Sequence, residues 1–283
     1  MNNDMIRKFT VLTALAVLLN PALFAAAIDD LEPEFGNIVL LQPMQDHKWA
    51  QVTSDSEYVY TSNELLLPDT GLQPAQNDGL FHETLGLNVT PPACPLNSLL
   101  FVRQEYVRYA ENKQYDYNAQ SAGAQISHPV EDWFSIYGGG SAERLVLIGN
   151  NQTFFKAYDA QIGIWRQQKI NQSLAVYGGY QFDWRPSTPG EYSRIENTPF
   201  IGLNASLLPD LTAKLEYRIS AREYTKQSRN DLNQYTGLTL TYNINEYADL
   251  SAFVSYSRND SSIATSDYEV FSGGGGLNLN VRF

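Results

Sequence analysis

Several things are scarce in this chain. One of its 283 residues is cysteine, Cys94, so no internal disulfide can form. Three are histidine, His47, His82 and His128, and no His/Cys spacing suits a metal site. No metal and no cofactor are therefore expected. Charged residues make up 18 % of the chain, against ~25 % in an average soluble domain. The deficit falls on the cations: the formal charge is −12, which argues against nucleic acid as a partner. Beyond residue 27 no apolar run approaches the ~18 residues of a membrane helix. The glycine clusters at 138–140, 178–179 and 273–276 lack the lysine and the helix that a phosphate loop needs. They suit strand curvature or close packing of side chains inside a sheet.

What is abundant is aromatic. The chain holds 18 Tyr, 13 Phe and 4 Trp, and β-rich proteins favour such residues. Residues 1–27 read as a secretory signal: Arg7 and Lys8 begin it, Phe9 to Phe24 is its apolar part, and Ala25, Ala26 and Ala27 form the cleavage site. Residues 28–46, acidic and then apolar, read as a flexible lead or a short plug.

From about residue 47 the dominant period is two. Leu277, Leu279, Val281 and Phe283 alternate with Asn278, Asn280 and Arg282. Leu211, Ala213, Leu215, Tyr217, Ile219 and Ala221 alternate with Thr212, Lys214, Glu216, Arg218, Ser220 and Arg222. The pattern predicts strands over 47–60, 79–90, 98–111, 115–127, 133–143, 155–167, 172–184, 197–208, 211–224, 233–245, 249–260 and 271–283. Several exceed the ~9–11 residues that cross a bilayer. Short turns (128–132, 168–171, 209–210, 246–248) alternate with longer connections (61–78, 144–154, 185–196, 225–232, 261–270), and 112–114 and 91–97 fit that alternation less well. A water-soluble sandwich would put its apolar face inward. Here the polar face carries bulky Arg218, Arg222 and Arg282, which suits lipid outside and a hydrated interior. An extended chain in hydrocarbon must close on itself to satisfy its backbone, and the expected fold is an all-β, antiparallel up-and-down transmembrane barrel of twelve strands, with ten or fourteen as alternatives.

This layout resembles the bacterial outer-membrane β-barrel proteins as a class. The run Leu277-Asn-Leu-Asn-Val-Arg-Phe283 is similar to the terminal strand that the barrel-assembly machinery recognises, with Leu279, Val281 and Phe283 as the signal. It departs from that pattern at Asn278, where glycine is favoured. The resemblance implies a Gram-negative outer membrane, both termini periplasmic, and contact with outer-membrane lipid, lipopolysaccharide and the assembly machinery. Trp49, Trp133 and Trp165 are expected at the periplasmic interface, and Trp184, Tyr109, Tyr115, Tyr158 and Tyr256 at the outer one.

The polar face defines a candidate lumen. Arg103, Glu105, Asp159, Asp183, Lys214, Glu216, Arg218 and Arg222 are the expected constriction, with Glu57, Gln125, Gln161 and Arg282 on the same face. Such a face points to a narrow porin-like channel for small hydrophilic solutes. Pairing of Lys214, Glu216, Arg218 and Arg222 across a blocked interior would point instead to a non-conducting barrel that works through its loops, in adhesion, partner binding or envelope integrity. A hydrolase is the third reading. The histidine–aspartate–serine run of outer-membrane phospholipases is not matched, His82-Glu83-Thr84 being the nearest approach. His82 with Asp78 and Glu83 could supply part of an omptin-like rim site. No catalytic residue is assigned. Acids at Asp55, Glu57, Asp69, Asp78, Asp260 and Asp267 read as solvated loop residues.

Overall fold

The computed structural model describes residues 49–63, 77–91, 96–130, 133–149 and 151–283. The expected signal (1–27), the lead or plug (28–46), His47, Asp69 and Cys94 lie outside them. Twelve long strands and one two-residue strand are present among the described residues, with no α-helix. In chain order they are β1 (Ala50–Thr61), β2 (Asp78–Val89), β3 (Asn97–Tyr109), β4 (Tyr117–Val130), β5 (Phe134–Leu147), β6 (Thr153–Lys169), β7 (Leu174–Arg185), the short β8 (Ser187–Thr188), β9 (Arg194–Leu208), β10 (Leu211–Tyr224), β11 (Asn230–Asn245), β12 (Ala248–Ser261) and β13 (Tyr268–Arg282).

Each long strand pairs antiparallel with its sequence neighbours, β7 passing over β8 to β9. The ring closes where β1 meets β13, in register from Gln51 opposite Arg282 to Thr61 opposite Ser272. Trp49 and Phe283 sit at the seam, the Trp49 N–H donating to the Phe283 carbonyl at 3.0 Å. Closure satisfies the backbone of every long strand and leaves no edge to template aggregation.

The alternation decides which side chains face where. Outward on β13 are Phe271, Leu277, Leu279 and Val281, and outward on β6 are Tyr158, Ile162 and Ile164, all exposed. Asp55, Glu57, Arg103, Asp159 and Arg218 have the opposite parity and line the interior. Exposed apolar side chains therefore cover the outer wall, and the polar set is enclosed. This is the reverse of a soluble sheet protein.

Proline is accommodated without a register shift. Pro199 sits inside β9, where the β10 ladder skips it between Asn197 opposite Ala221 and Phe200 opposite Arg218. It lacks the N–H that a ladder bond needs. The hydroxyls of Thr198 and Ser220, 2.8 Å apart, join the two strands at that gap.

Several sequence expectations are corrected. The β5–β6 connection is 148–152, not 144–154, because Arg144 to Leu147 continue β5. The residues around 112–114 form a larger loop, 110–116, built on a 3₁₀ turn at Lys113–Tyr115. His128 belongs to β4, not to a turn. Tyr109 and Tyr115 are buried inside the barrel rather than placed at the lipid interface. Trp165 shares the inward parity of Asp159 on β6, so it does not face lipid. Trp49, Trp133 and Trp184 are exposed, as are Tyr158 and Tyr256.

Candidate functional site: the barrel interior

The interior begins with a packing device. Five inward aromatic rings lie directly opposite an inward glycine on the adjacent strand: Phe101 and Gly123, Tyr137 and Gly163, Tyr177 and Gly202, Phe200 and Gly179, Phe253 and Gly274. A Cβ on Gly202 would fall 2.3 Å from Tyr177 Cζ, and one on Gly163 would fall 2.4 Å from Tyr137 Cζ. Each ring thus lies down against the wall over the space that glycine leaves. This keeps large side chains from filling the bore. It also explains part of the glycine clustering, since Gly179 and Gly274 belong to the runs at 178–179 and 273–276.

The space left is a cavity of about 740 Å³ in the middle of the barrel. A second cavity of about 540 Å³, at the end where Trp49 and Phe283 meet, shares Asp249 and Asn280 with it. Of the expected constriction, Arg103, Glu105, Asp159, Asp183 and Arg218 line the central cavity. Lys214, Glu216 and Arg222 have the same parity as Arg218 on β10. Arg282 lines the second cavity.

Charge is divided across the bore. In a ring of twelve strands, β1, β2 and β3 stand opposite β7, β9 and β10. The β7–β10 wall carries the cations. Arg185 pairs with Glu143 of β5 at 2.9 Å, and Glu196 receives both Arg194 (3.0 Å) and Arg222 (3.2 Å). Glu216 receives Lys214 at 2.9 Å and Arg218 at 3.9 Å, and accepts the Tyr177 hydroxyl at 2.8 Å. The Arg218 guanidinium also lies 4.2 Å from the centroid of the Tyr235 ring. The four residues 214, 216, 218 and 222 are therefore paired along one wall, not across a blocked bore. The facing wall carries Asp55, Glu57 and Glu105, with Arg103, and Asp249 adjoins it on β12. Acids outnumber bases in the cavity lining.

Sequence reasoning missed Glu143, Arg185, Arg194, Glu196 and Asp249 as lining residues. Arg185, Arg194 and Glu196 fell in the segment 185–196, read as a long connection and holding Pro186 and Pro189. Carrying the parity of the neighbouring strands inward by a few residues would have found them. Asp55, read only as a loop acid, is a lumen residue of β1, as is Glu57, which was also placed on the lumen face. Asp260 lies on β12, paired with Arg258 at 2.8 Å, and Asp267 accepts the Ser261 N–H at 2.6 Å.

The opposite end of the bore, where the longer loops are, is filled. Val59, Leu80, Val107, Leu145 and Phe155 point inward there and are buried. Two loops add to them. Tyr115 packs edge-on against Tyr109 with centroids 6.4 Å apart, and Tyr192 packs on Phe155 at 6.2 Å. Asp78 holds the first loop inward: its carboxylate accepts N–H groups of Gly79 (2.7 Å), Glu111 (3.1 Å) and Asn112 (3.0 Å) and the Asn112 amide (3.2 Å). Across the ring the layer is polar, with Asn233 donating to Ser257 (3.1 Å) and to the Tyr268 hydroxyl (3.0 Å).

The histidine constellation does not assemble. His82 faces the lumen from the interior of β2, Glu83 faces outward, and Asp78 is committed to the loop. His82 Nε2 lies 3.3 Å from Thr84 Oγ1 and 3.6 Å from Glu105 Oε2.

A family model described as "Putative beta-barrel porin 2" matches residues 186–282, about a third of the chain, from the loop before β8 through β13. No curated protein matches. Among solved structures, the translocator domain of the autotransporter NalP from Neisseria meningitidis is similar at 15% identity, covering 90% of this chain and 96% of its own, with a TM-score of 0.48. The KdgM porin in complex with disordered oligogalacturonate is similar at 13% identity over 80% of this chain and 98% of its own, with a TM-score of 0.46. The anion-selective porin from Comamonas acidovorans is similar at 9% identity over 82% and 98%, with a TM-score of 0.45. With its closed ring, apolar outer wall and charged interior, the chain is a twelve-stranded β-barrel of the outer-membrane type.

Proposed function

We propose that this barrel sits in the outer membrane, both termini on the periplasmic side, and forms a narrow channel for small hydrophilic solutes. The observation that carries this reading is the charged cavity of about 740 Å³ kept clear by rings folded onto glycines. A filled, salt-bridged interior would have left no such space. The match of β8–β13 to a porin-type family model supports it. Excess carboxylate in the lining gives the bore a negative field, which favours cations over anions. The charged belt that sets this preference is the one where Arg218, Glu216 and Lys214 face Arg103 and Glu105.

The packed layer at the loop end supports a second reading, a barrel that stays closed and acts through its loops. Conductance separates the two. The purified chain, refolded in detergent and shown folded by heat-modifiable gel mobility, is added to a planar bilayer. Discrete steps with a cation preference are expected, and Arg218→Glu is expected to strengthen that preference. A folded protein that stays silent at all voltages would overturn the channel reading in favour of the second.

A further inference from the structure

On the outer wall, two cations stand directly opposite each other. Arg144 of β5 is in register with Lys156 of β6, and both point away from the bore and are exposed. Like charges at facing positions of a sheet repel. No carboxylate offsets them: among the described residues, the outward positions of β3 to β7 carry no Asp or Glu. Arg144 Nε donates to Thr153 Oγ1 at 2.9 Å, which leaves the outer edge of the guanidinium for another acceptor. Gln120 of β4 stands opposite Arg144 on its other side. Arg258, an outward cation elsewhere on the wall, contrasts with this pair. It is matched by Asp260 at 2.8 Å and Glu269 at 3.9 Å.

The level of the pair is set by what lies below it. On the outward face of β6, Lys156 is followed by Tyr158, Ala160, Ile162 and Ile164, and then by Arg166. At ~3.4 Å per residue and a tilt near 40°, Lys156 and Arg166 are about 25 Å apart along the barrel axis, the height of the apolar band of a membrane barrel. Lys156 and Arg144 therefore stand at the upper edge of that band, at headgroup depth, with Tyr158 just beneath.

We propose that Arg144 and Lys156 form a binding site for the phosphate of a membrane lipid headgroup. A phosphate oxygen between them would turn a repulsive pair into two charge-assisted bonds, and an arginine and a lysine are the side chains suited to that anion. The inference rests on the membrane placement proposed above and is independent of whether the bore conducts.

Native mass spectrometry of the full chain in neutral detergent tests this. Phosphatidic acid and phosphatidylcholine of the same chain length are the probes. Phosphatidic acid is expected to bind about tenfold better, given the attraction per cation near a lipid surface. The preference should vanish in Arg144→Gln/Lys156→Gln and persist in Arg258→Gln. Lys156→Gln alone relieves the repulsion, so it should fold at least as well as the parent while losing most of the preference. Equal binding of the two lipids by the parent, or a preference unchanged in the double variant, would overturn the site. Full displacement by inorganic phosphate at millimolar concentration would reassign it to a free anion.

Discussion

At the residue scale, the glycines opposite aromatic rings decide where those rings can lie. Tyr177 shows why. Its ring lies over Gly202 and its hydroxyl donates to Glu216, which in turn holds Lys214. A methyl group at 202 would sit 2.3 Å from Tyr177 Cζ, a contact that only movement of the ring can relieve. Overpacking of this kind costs about 1–3 kcal/mol. Gly202→Ala is accordingly expected to lower the urea midpoint of the detergent-folded barrel and to weaken the bond that orients Glu216. Gly149, with nothing within 4 Å of a built Cβ, provides the control, and Gly149→Ala should leave the midpoint within error of the parent. Equal midpoints for both variants would show that the ring does not depend on the glycine.

At the element scale, the strands are regular and the loops carry the individuality. Asp78 is the clearest case. It begins β2 and its carboxylate collects three backbone N–H groups and one amide, tying loop 110–116 to the strand end. A carboxylate saturated in this way contributes substantially, since bonds to charged acceptors are worth ~1.5–3 kcal/mol each. Removing it in Asp78→Ala should free the loop without opening the barrel. Trypsin cleavage after Lys113, in the 3₁₀ turn of that loop, is expected to accelerate by about thirtyfold or more, equivalent to a local loss of ~2 kcal/mol. Heat-modifiable mobility should be retained. Cleavage at the parental rate would mean that Tyr115, buried against Tyr109, holds the loop by itself.

For the whole molecule the question is how a charged bore coexists with a packed end. The central and terminal-side cavities adjoin, whereas the loop end is filled by apolar side chains on one side of the ring and hydrogen-bonded ones on the other. Two of the filling residues, Tyr115 and Tyr192, come from loops rather than from the wall. They are the ones that can leave without dismantling the sheet. Truncating both, in Tyr115→Ala/Tyr192→Ala, is expected to raise the single-channel conductance or the open fraction above the parent. The cation preference, set deeper in the bore, should stay the same. A double variant with parental conductance would place the limiting constriction at the Arg218–Glu216 belt instead.

The alternation of apolar and polar residues by itself determined much of this protein. A side-chain period of two admits one face to lipid and the other to the interior, and length above that of a bilayer crossing demands closure. That is why all twelve strands were legible to within a few residues, 211–224 to the residue, and why Arg103, Glu105, Asp159, Asp183 and Arg218 share the face that lines the central cavity. Only the tertiary structure decided the rest. Whether Arg222 reaches across the bore or to Glu196 beside it depends on distances between strands. That Tyr115 turns inward depends on how the loop end folds over, whereas Tyr109 and Trp165 share the parity of Glu105 and Asp159 and were legible as inward in the alternation itself. Glycine runs signalled close packing, but which ring lies on which glycine is a matter of register. Register is a property of two strands paired in space, and no single segment of chain contains it.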